Sequence, residues 1–402
     1  MRTVRFFLSN LFLLISGSLW TMPHLRAQSF SAQDIAQLTS FYESGLRHNG
    51  IVGSSLVLLH GDHLVFQDFY GRQDLSPAQP VDENTTYHWA SITKTFTGVA
   101  IMQLRDRGLL SLDDPLIKYI PELAAVHDPY GPISAITIRE AMSHSSGFRD
   151  ATWPWRTEPW QPFEPTKWSQ IVAMLPYTSI HFAPGSRFGY SNLAVVFLGE
   201  IIERLSGDPY EAYMEKNVLG PLGMYHSYFD RSPYTLLCYR SHSYDLQNGK
   251  LTEDPFDFDT GITRSNGGLN APLPDMVKYL EFLLGDPAHR AEYDAILKRS
   301  SLEEMWKPIL PVTPDADFPS RAGAHDFVAG SFFVHTDGKL RLVGKSGSQN
   351  GFQSNFYLDP TSRRAYIVVY NTDAQDARQN THDFDMQLRD YLIDHYFNKE
   401  SR

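Results

Sequence analysis

Cysteine is almost absent from this chain. Its 402 residues include one, Cys238, so no internal disulfide can form. Nothing beside Cys238 marks a thiol nucleophile, and the residue reads as a small buried hydrophobe. A basic block is missing too. Asp and Glu number 46 against 35 Lys and Arg, a net charge of −11 at pH 7. An acidic chain without a cationic stretch is a poor match for nucleic acid or an anionic membrane surface. No G-x-S-x-G elbow, H-E-x-x-H, Cys/His ligand spacing or Gly-rich phosphate loop occurs. No metal or cofactor is therefore implied. Internal repeats and low-complexity linkers are absent as well.

What is present suits a soluble globular protein. Hydrophobic residues make up 42% and charged residues 20%, with 21 Tyr, 25 Phe and 7 Trp. The length allows one large domain or two ordinary ones. Residues 1–27 read as an export signal, which predicts a periplasmic or secreted protein. Arg2 and Arg5 precede the apolar run Phe6 to Ile15, which Ser9 and Asn10 interrupt and which is too short to span a bilayer. Cleavage fits after Ala27 or near Ser16-Gly17-Ser18. Removing the segment takes away Arg2, Arg5 and Arg26 and no acid, so the remainder is more acidic still.

The remaining 28–402 reads as a single catalytic domain. Ser31 to Arg47 has helical spacing. Gly53–His60 and His63–Tyr70 flank Gly61-Asp62 as a β-hairpin. Phe327–His335 with Leu340–Lys345, and Phe352–Leu358 with Ala365–Asn371, predict two more hairpins. A helix from about His382 to Tyr396 follows. Between them helical patterns dominate, including 192–205, 209–218 and Asp275 to Leu284; Gly220 to Met224 reads as a loop. The expected fold is α/β of the α+β type: an antiparallel sheet from about 28–80 and 320–402, flanked by helices, with an inserted helical part over about 81–319.

The most informative stretch is Ser91-Ile92-Thr93-Lys94 ahead of the apolar run Gly98 to Leu104. In a helix these two side chains share a face, one turn apart. A hydroxyl at a helix start, with an amine beside it, is one way to activate serine without histidine. Alone, the pair reads as an N-terminal serine and a solvated lysine. Two later triplets change that: Tyr190-Ser191-Asn192 and Lys345-Ser346-Gly347. Singly, Tyr190 reads as a core tyrosine, Asn192 as a helix cap, Lys345 as a solvated strand charge, and Ser346 and Ser348 as turn hydroxyls. Two further features stand open. His144, in Ser143-His144-Ser145-Ser146-Gly147, is read as bracing its loop, since no acidic orienter stands near it. The stretch 151–168, with Trp153, Trp155, Trp160 and Trp168 among prolines, is either an aromatic rim on a cleft or an irregular loop packed on the body.

Taken in order, the three motifs resemble the class C β-lactamase and serine-type D-Ala-D-Ala carboxypeptidase superfamily, with its esterase and D-aminopeptidase relatives. Leu112-Asp113-Asp114-Pro115, His144 to Gly147, Pro221 to Met224 and Gly267-Gly268-Leu269 strengthen the likeness. The resemblance implies an acyl-enzyme on Ser91. Lys94 would shuttle its proton, and Tyr190 would act as general base and donate to the leaving group. Asn192 would orient Lys94 or bond a substrate amide. Lys345, Ser346 and Gly347 would bind substrate, and the amides of Ser91 and Ser348 would form an oxyanion hole. Lysine at 345, where many esterase relatives carry another residue, favours a carboxylate-bearing small molecule or short peptide, such as a D-amino-acid peptide or β-lactam. Carboxylesterase activity and a non-turnover penicillin-binding or sensing module are the alternatives. Serine at 346 in place of threonine is a mild departure. Oligomeric state is not set by the sequence.

Overall fold

A computed structural model describes residues 30–153, 165–254, 261–314 and 321–399. The expected export signal, Trp155 and Trp160 lie outside these residues. The molecule is built on a nine-stranded antiparallel sheet drawn from both ends of the chain. Its strands are β1 Gly53–His60, β2 His63–Leu75, β3 Ala78–Pro80, β4 Leu310–Pro311, β5 His325–Val328, β6 Phe333–Asp337, β7 Leu340–Gln349, β8 Phe352–Asp359 and β9 Arg364–Tyr370. Their spatial order is β3-β2-β1-β9-β8-β7-β6-β5-β4. A tenth strand, β10 Thr372–Asp376, leaves this sheet and runs parallel to 244–247.

Both faces of the central strands are covered, so β1 and β9 are apolar almost throughout rather than alternating. Side chains still alternate in direction. Leu56, Leu58, Tyr366, Val368 and Tyr370 face one core with α1 Ala32–His48 and the C-terminal helix Thr381–Leu392. Val57, Leu59, Ala365, Ile367 and Val369 face the larger core under the helical part. Ser31 caps α1 in a reciprocal arrangement with Asp34, as its position before an apolar-periodic run predicts.

At the centre of the helical part lies α2, Thr93–Asp106. Every residue from Thr93 to Leu104 is buried. A helix surrounded on all sides must satisfy its polar side chains internally. Thr97 bonds the Ser265 carbonyl at 2.6 Å, and Gln103 donates to the carbonyls of Asn217 and Ile296 at 2.9 and 2.8 Å. Beside it runs α3, Asn192–Ser206, and against the sheet packs α4, Leu273–Leu284. The C-terminal helix is α5.

Some expectations are corrected. The run 327–335 is two strands, not one, because the chain turns at Gly330 and Ser331, where Ser331 takes φ 67°. Gly220–Leu222 form a helical turn, ended by Gly223 at φ 71°. Cys238 is exposed, contrary to its reading as a buried hydrophobe. It sits in a 3₁₀ segment, Tyr234–Tyr239, none of whose side chains is buried. Trp168 starts a short helix and packs edge-on against Phe197, so that tryptophan serves the body of the fold.

Candidate active site

Ser91 is not on α2 itself. It occupies a one-turn 3₁₀ helix, Ala90–Ile92, that leads into α2, while Lys94 sits in the first turn of α2. Ala90, directly before the serine, has φ 46°, a left-handed conformation costly for a residue with a Cβ. Such strain persists only where surrounding packing enforces it. Here Trp89 does so: it is fully buried and its indole N–H donates to the Ala271 carbonyl at 2.8 Å.

Lys94 Nζ lies 2.9 Å from Ser91 Oγ and 2.7 Å from the main-chain oxygen of Asn266. The amine is 1% exposed. Burial, then the Lys345 charge, pushes its pKa well below the ordinary lysine value, with Asp150 opposing. A buried amine of this kind tends to the neutral state, with a lone pair able to take the serine proton.

Tyr190 ends the loop before α3. Ser191, not Asn192, caps that helix, accepting the Ala194 N–H at 3.0 Å and donating to the Arg149 carbonyl at 2.8 Å. The phenol hydrogen-bonds Ser91, and Lys345 Nζ lies 3.3 Å from its oxygen. Lys94 and Lys345 stand 5.1 and 4.7 Å from its ring centre. Burial pushes the Tyr190 phenol up, the Ser91 hydrogen bond only partly offsetting it, which favours the protonated phenol. His144 lies beneath this ring, stacked at 4.2 Å, and accepts the Ser191 backbone N–H at Nδ1. It braces the loop, as its sequence context suggested.

Asn192 makes no hydrogen bond to Lys94. Its amide donates to Asp150 at 2.9 Å, and its carbonyl accepts from Asn266 at 3.4 Å. Orienting Lys94 falls instead to the Asn266 carbonyl. Asp150 and Asn266 were both missed from the sequence.

The third motif lies on β7. Its pairing with β6 ends at Phe333 and Gly344, so among the described residues Lys345 to Gln349 have a free edge on that side. Lys345 and Gly347 face the serine, while Ser346 and Ser348 point their side chains the other way. Lys345 is 2% exposed, and burial pulls its pKa down to about 7, with Asp150 opposing. Gly347 passes so close to the nucleophile turn that a Cβ there would lie 2.4 Å from the Trp89 carbonyl and 3.0 Å from the Ser91 nitrogen. Only glycine allows the strand carrying Ser348 to lie beside the Ser91 amide. Gly347→Ala is therefore expected to cost about 1–3 kcal/mol of stability and to slow acylation by more than its effect on folding. Denaturant midpoints and burst kinetics measured together check this; an active, equally stable variant contradicts the geometry.

Ser91, Tyr190, Asn192 and Lys345 to Ser348 all line one cavity of about 530 Å³. Among the described residues no group of His, Cys, Asp and Glu side chains is arranged to hold a metal ion. Residues 38–388 match the family model described as Beta-lactamase.

The chain belongs to the beta-lactamase family.

Similar proteins within reach of this family are distant. Beta-lactamase-like protein 2 of Dictyostelium discoideum is 30% identical over 346 residues, covering 80% of this chain and 56% of that protein. Protein flp of Staphylococcus aureus strain COL is 25% identical over 340 residues, covering 84% and 63%. The chain thus spans about three fifths of the length of these curated relatives. Among solved structures, the octameric penicillin-binding protein homologue from Pyrococcus abyssi matches with a TM-score of 0.75 at 24% identity, covering 90% of this chain and 78% of that one. A class C beta-lactamase matches at 0.70 and 19% identity, covering 90% and 99%. At these identities the likeness is one of fold, and fold alone does not fix a beta-lactamase relative's substrate.

Proposed function

We propose that the protein is a serine hydrolase that forms an acyl-enzyme on Ser91 and cleaves an amide, peptide or β-lactam bond in a substrate bearing a carboxylate. The observation that carries this reading is the 2.9 Å approach of a buried lysine amine to the Ser91 hydroxyl. In acylation the Ser91 proton passes to Lys94 as Oγ attacks the carbonyl carbon. The oxyanion is held by main-chain N–H groups beside Ser91 and Ser348. Collapse breaks the carbonyl–nitrogen bond, and the departing nitrogen takes a proton relayed from Lys94 through the Tyr190 hydroxyl. Water then attacks the ester, gives its proton to the same base, and frees Ser91.

Lys345 supports the carboxylate. A lysine that is 2% exposed and held near pH 7 is charged most fully when an anion sits beside it. For a substrate pair differing only in free acid against methyl ester, Lys345→Met should raise KM for the acid by roughly 10- to 100-fold and leave the ester little changed. The pH dependence has a definite sign. Activity falls as pH drops and Lys94 takes up a proton. For the acid substrate, kcat/KM also falls as pH rises past about 7, where free Lys345 loses its charge. Equal KM for acid and ester in the wild type would contradict the carboxylate assignment.

A further inference from the structure

The cavity does not end at the free edge of β7. It continues past Ser346 and Ser348 to the opposite face of the sheet, where β8 meets β10 and the start of α5. On that face β9 presents Tyr366, Val368 and Tyr370, all buried in the core. Its neighbour β8 presents Gln353, Asn355 and Tyr357 instead. This polar row on an otherwise apolar sheet face borders the open lobe.

The lobe is acidic. Asp373 of β10 accepts the side-chain amides of Gln353 and Gln375, the latter at 2.6 Å. Asp385 of α5 accepts Asn355 and, at 3.1 Å, the Tyr370 hydroxyl. Across the strand pair from Asp373, outside the cavity lining, stands Asp245, beside Asp254. Burial, then Asp245 and Asp373, pushes Asp254 up to about 6. The basic neighbours are His382 and Arg389, and the Arg389 guanidinium is engaged with Asp390 and Tyr357. Asn355 is fully buried; Asp385 uses its amide N–H, while its carbonyl oxygen has no partner. An orphaned acceptor beside a cavity rich in carboxylates calls for a donor. The set is not arranged for a metal ion among the described residues.

We propose that this second lobe is a subsite for a primary ammonium or guanidinium group carried by the substrate that Ser91 attacks. An ammonium supplies up to three donors and no acceptor, matching the unpartnered Asn355 oxygen and the Asp373 and Asp385 carboxylates. This inference rests on the hydrolase reading above.

The test uses matched short peptides that carry lysine or norleucine at the residues flanking the scissile bond, assayed on the full chain at low salt. The readout is the ratio of kcat/KM for the two within each protein. The wild type should favour the lysine peptide by about tenfold or more. Asp373→Asn, and independently Gln375→Lys at an exposed position, should bring the ratio to within about twofold of parity. The norleucine peptide is the internal reference for folding. A wild-type ratio near one, or a preference kept in both variants, overturns the subsite. If neither peptide is cleaved, the subsite falls; if a penicillin and a fluorophosphonate also leave Ser91 unmodified, the hydrolase reading falls with it.

Discussion

Ser91→Ala is expected to lower kcat/KM by about four to six orders of magnitude, the usual cost of removing a nucleophile from an acyl-transfer site. The residual rate would come from binding and the main-chain oxyanion donors, which the substitution leaves in place. The fold should survive, because Ser91 lies on a strained turn held by Trp89 rather than by its own hydroxyl. Relief of the Lys94–Ser91 contact leaves the amine with the Asn266 carbonyl. The measurement is steady-state hydrolysis of a chromogenic β-lactam, a D-amino-acid peptide and a short ester, beside a thermal melt. Turnover within tenfold of wild type would remove Ser91 from the mechanism. A burst without turnover in the wild type would favour a sensing module over an enzyme.

Lys94→Met should slow single-turnover acylation by about 10²–10⁴-fold, the range for loss of a general base. Methionine is unbranched and matches the buried stem, so folding should be kept or improved as a buried amine is removed. Lys94→Arg is the sharper comparison. Arginine keeps a positive charge but cannot give up its proton at any accessible pH. If Lys94 acts as a neutral amine, the Arg variant should be as slow as the Met variant. If Lys94 acts only through charge, the Arg variant should retain much of the rate. The two outcomes separate proton transfer from electrostatics without reference to a pKa. Substrate KM should change little in either case, because Lys94 faces the serine and not the free edge of β7.

Much of this was legible in the residues. Strand-like runs broken at Gly61-Asp62 and at Asp359-Pro360-Thr361-Ser362 placed the β1–β2 and β8–β9 hairpins, because those signals are local. The break at Gly330 and Ser331 was overlooked, although Gly-Ser between two apolar runs is a turn signal. Ser91, Lys94, Tyr190 and Lys345 were found because each has a side chain with a chemistry and a place in an ordered pattern. Asn266 was missed because it acts through its carbonyl oxygen, which every residue has. Asp150 carries no motif of its own and enters the site through Asn192. The direction in which Tyr190 titrates depends on how deeply its phenol is enclosed, and that is a property of packing. The acidic lobe is lined by Asp373 of β10 and Asp385 of α5, which meet because the helix folds back against that strand.

The central claim is that four side chains from three separate stretches of the chain form one reacting group around the Ser91 hydroxyl. Peptide mapping by mass spectrometry, after exposure to a penicillin or a fluorophosphonate, tests it most directly. The account predicts one adduct per chain, on the peptide containing Ser91, formed far more slowly in Lys94→Met. An adduct on a different residue, or hydrolysis proceeding with Ser91 never modified, would contradict it.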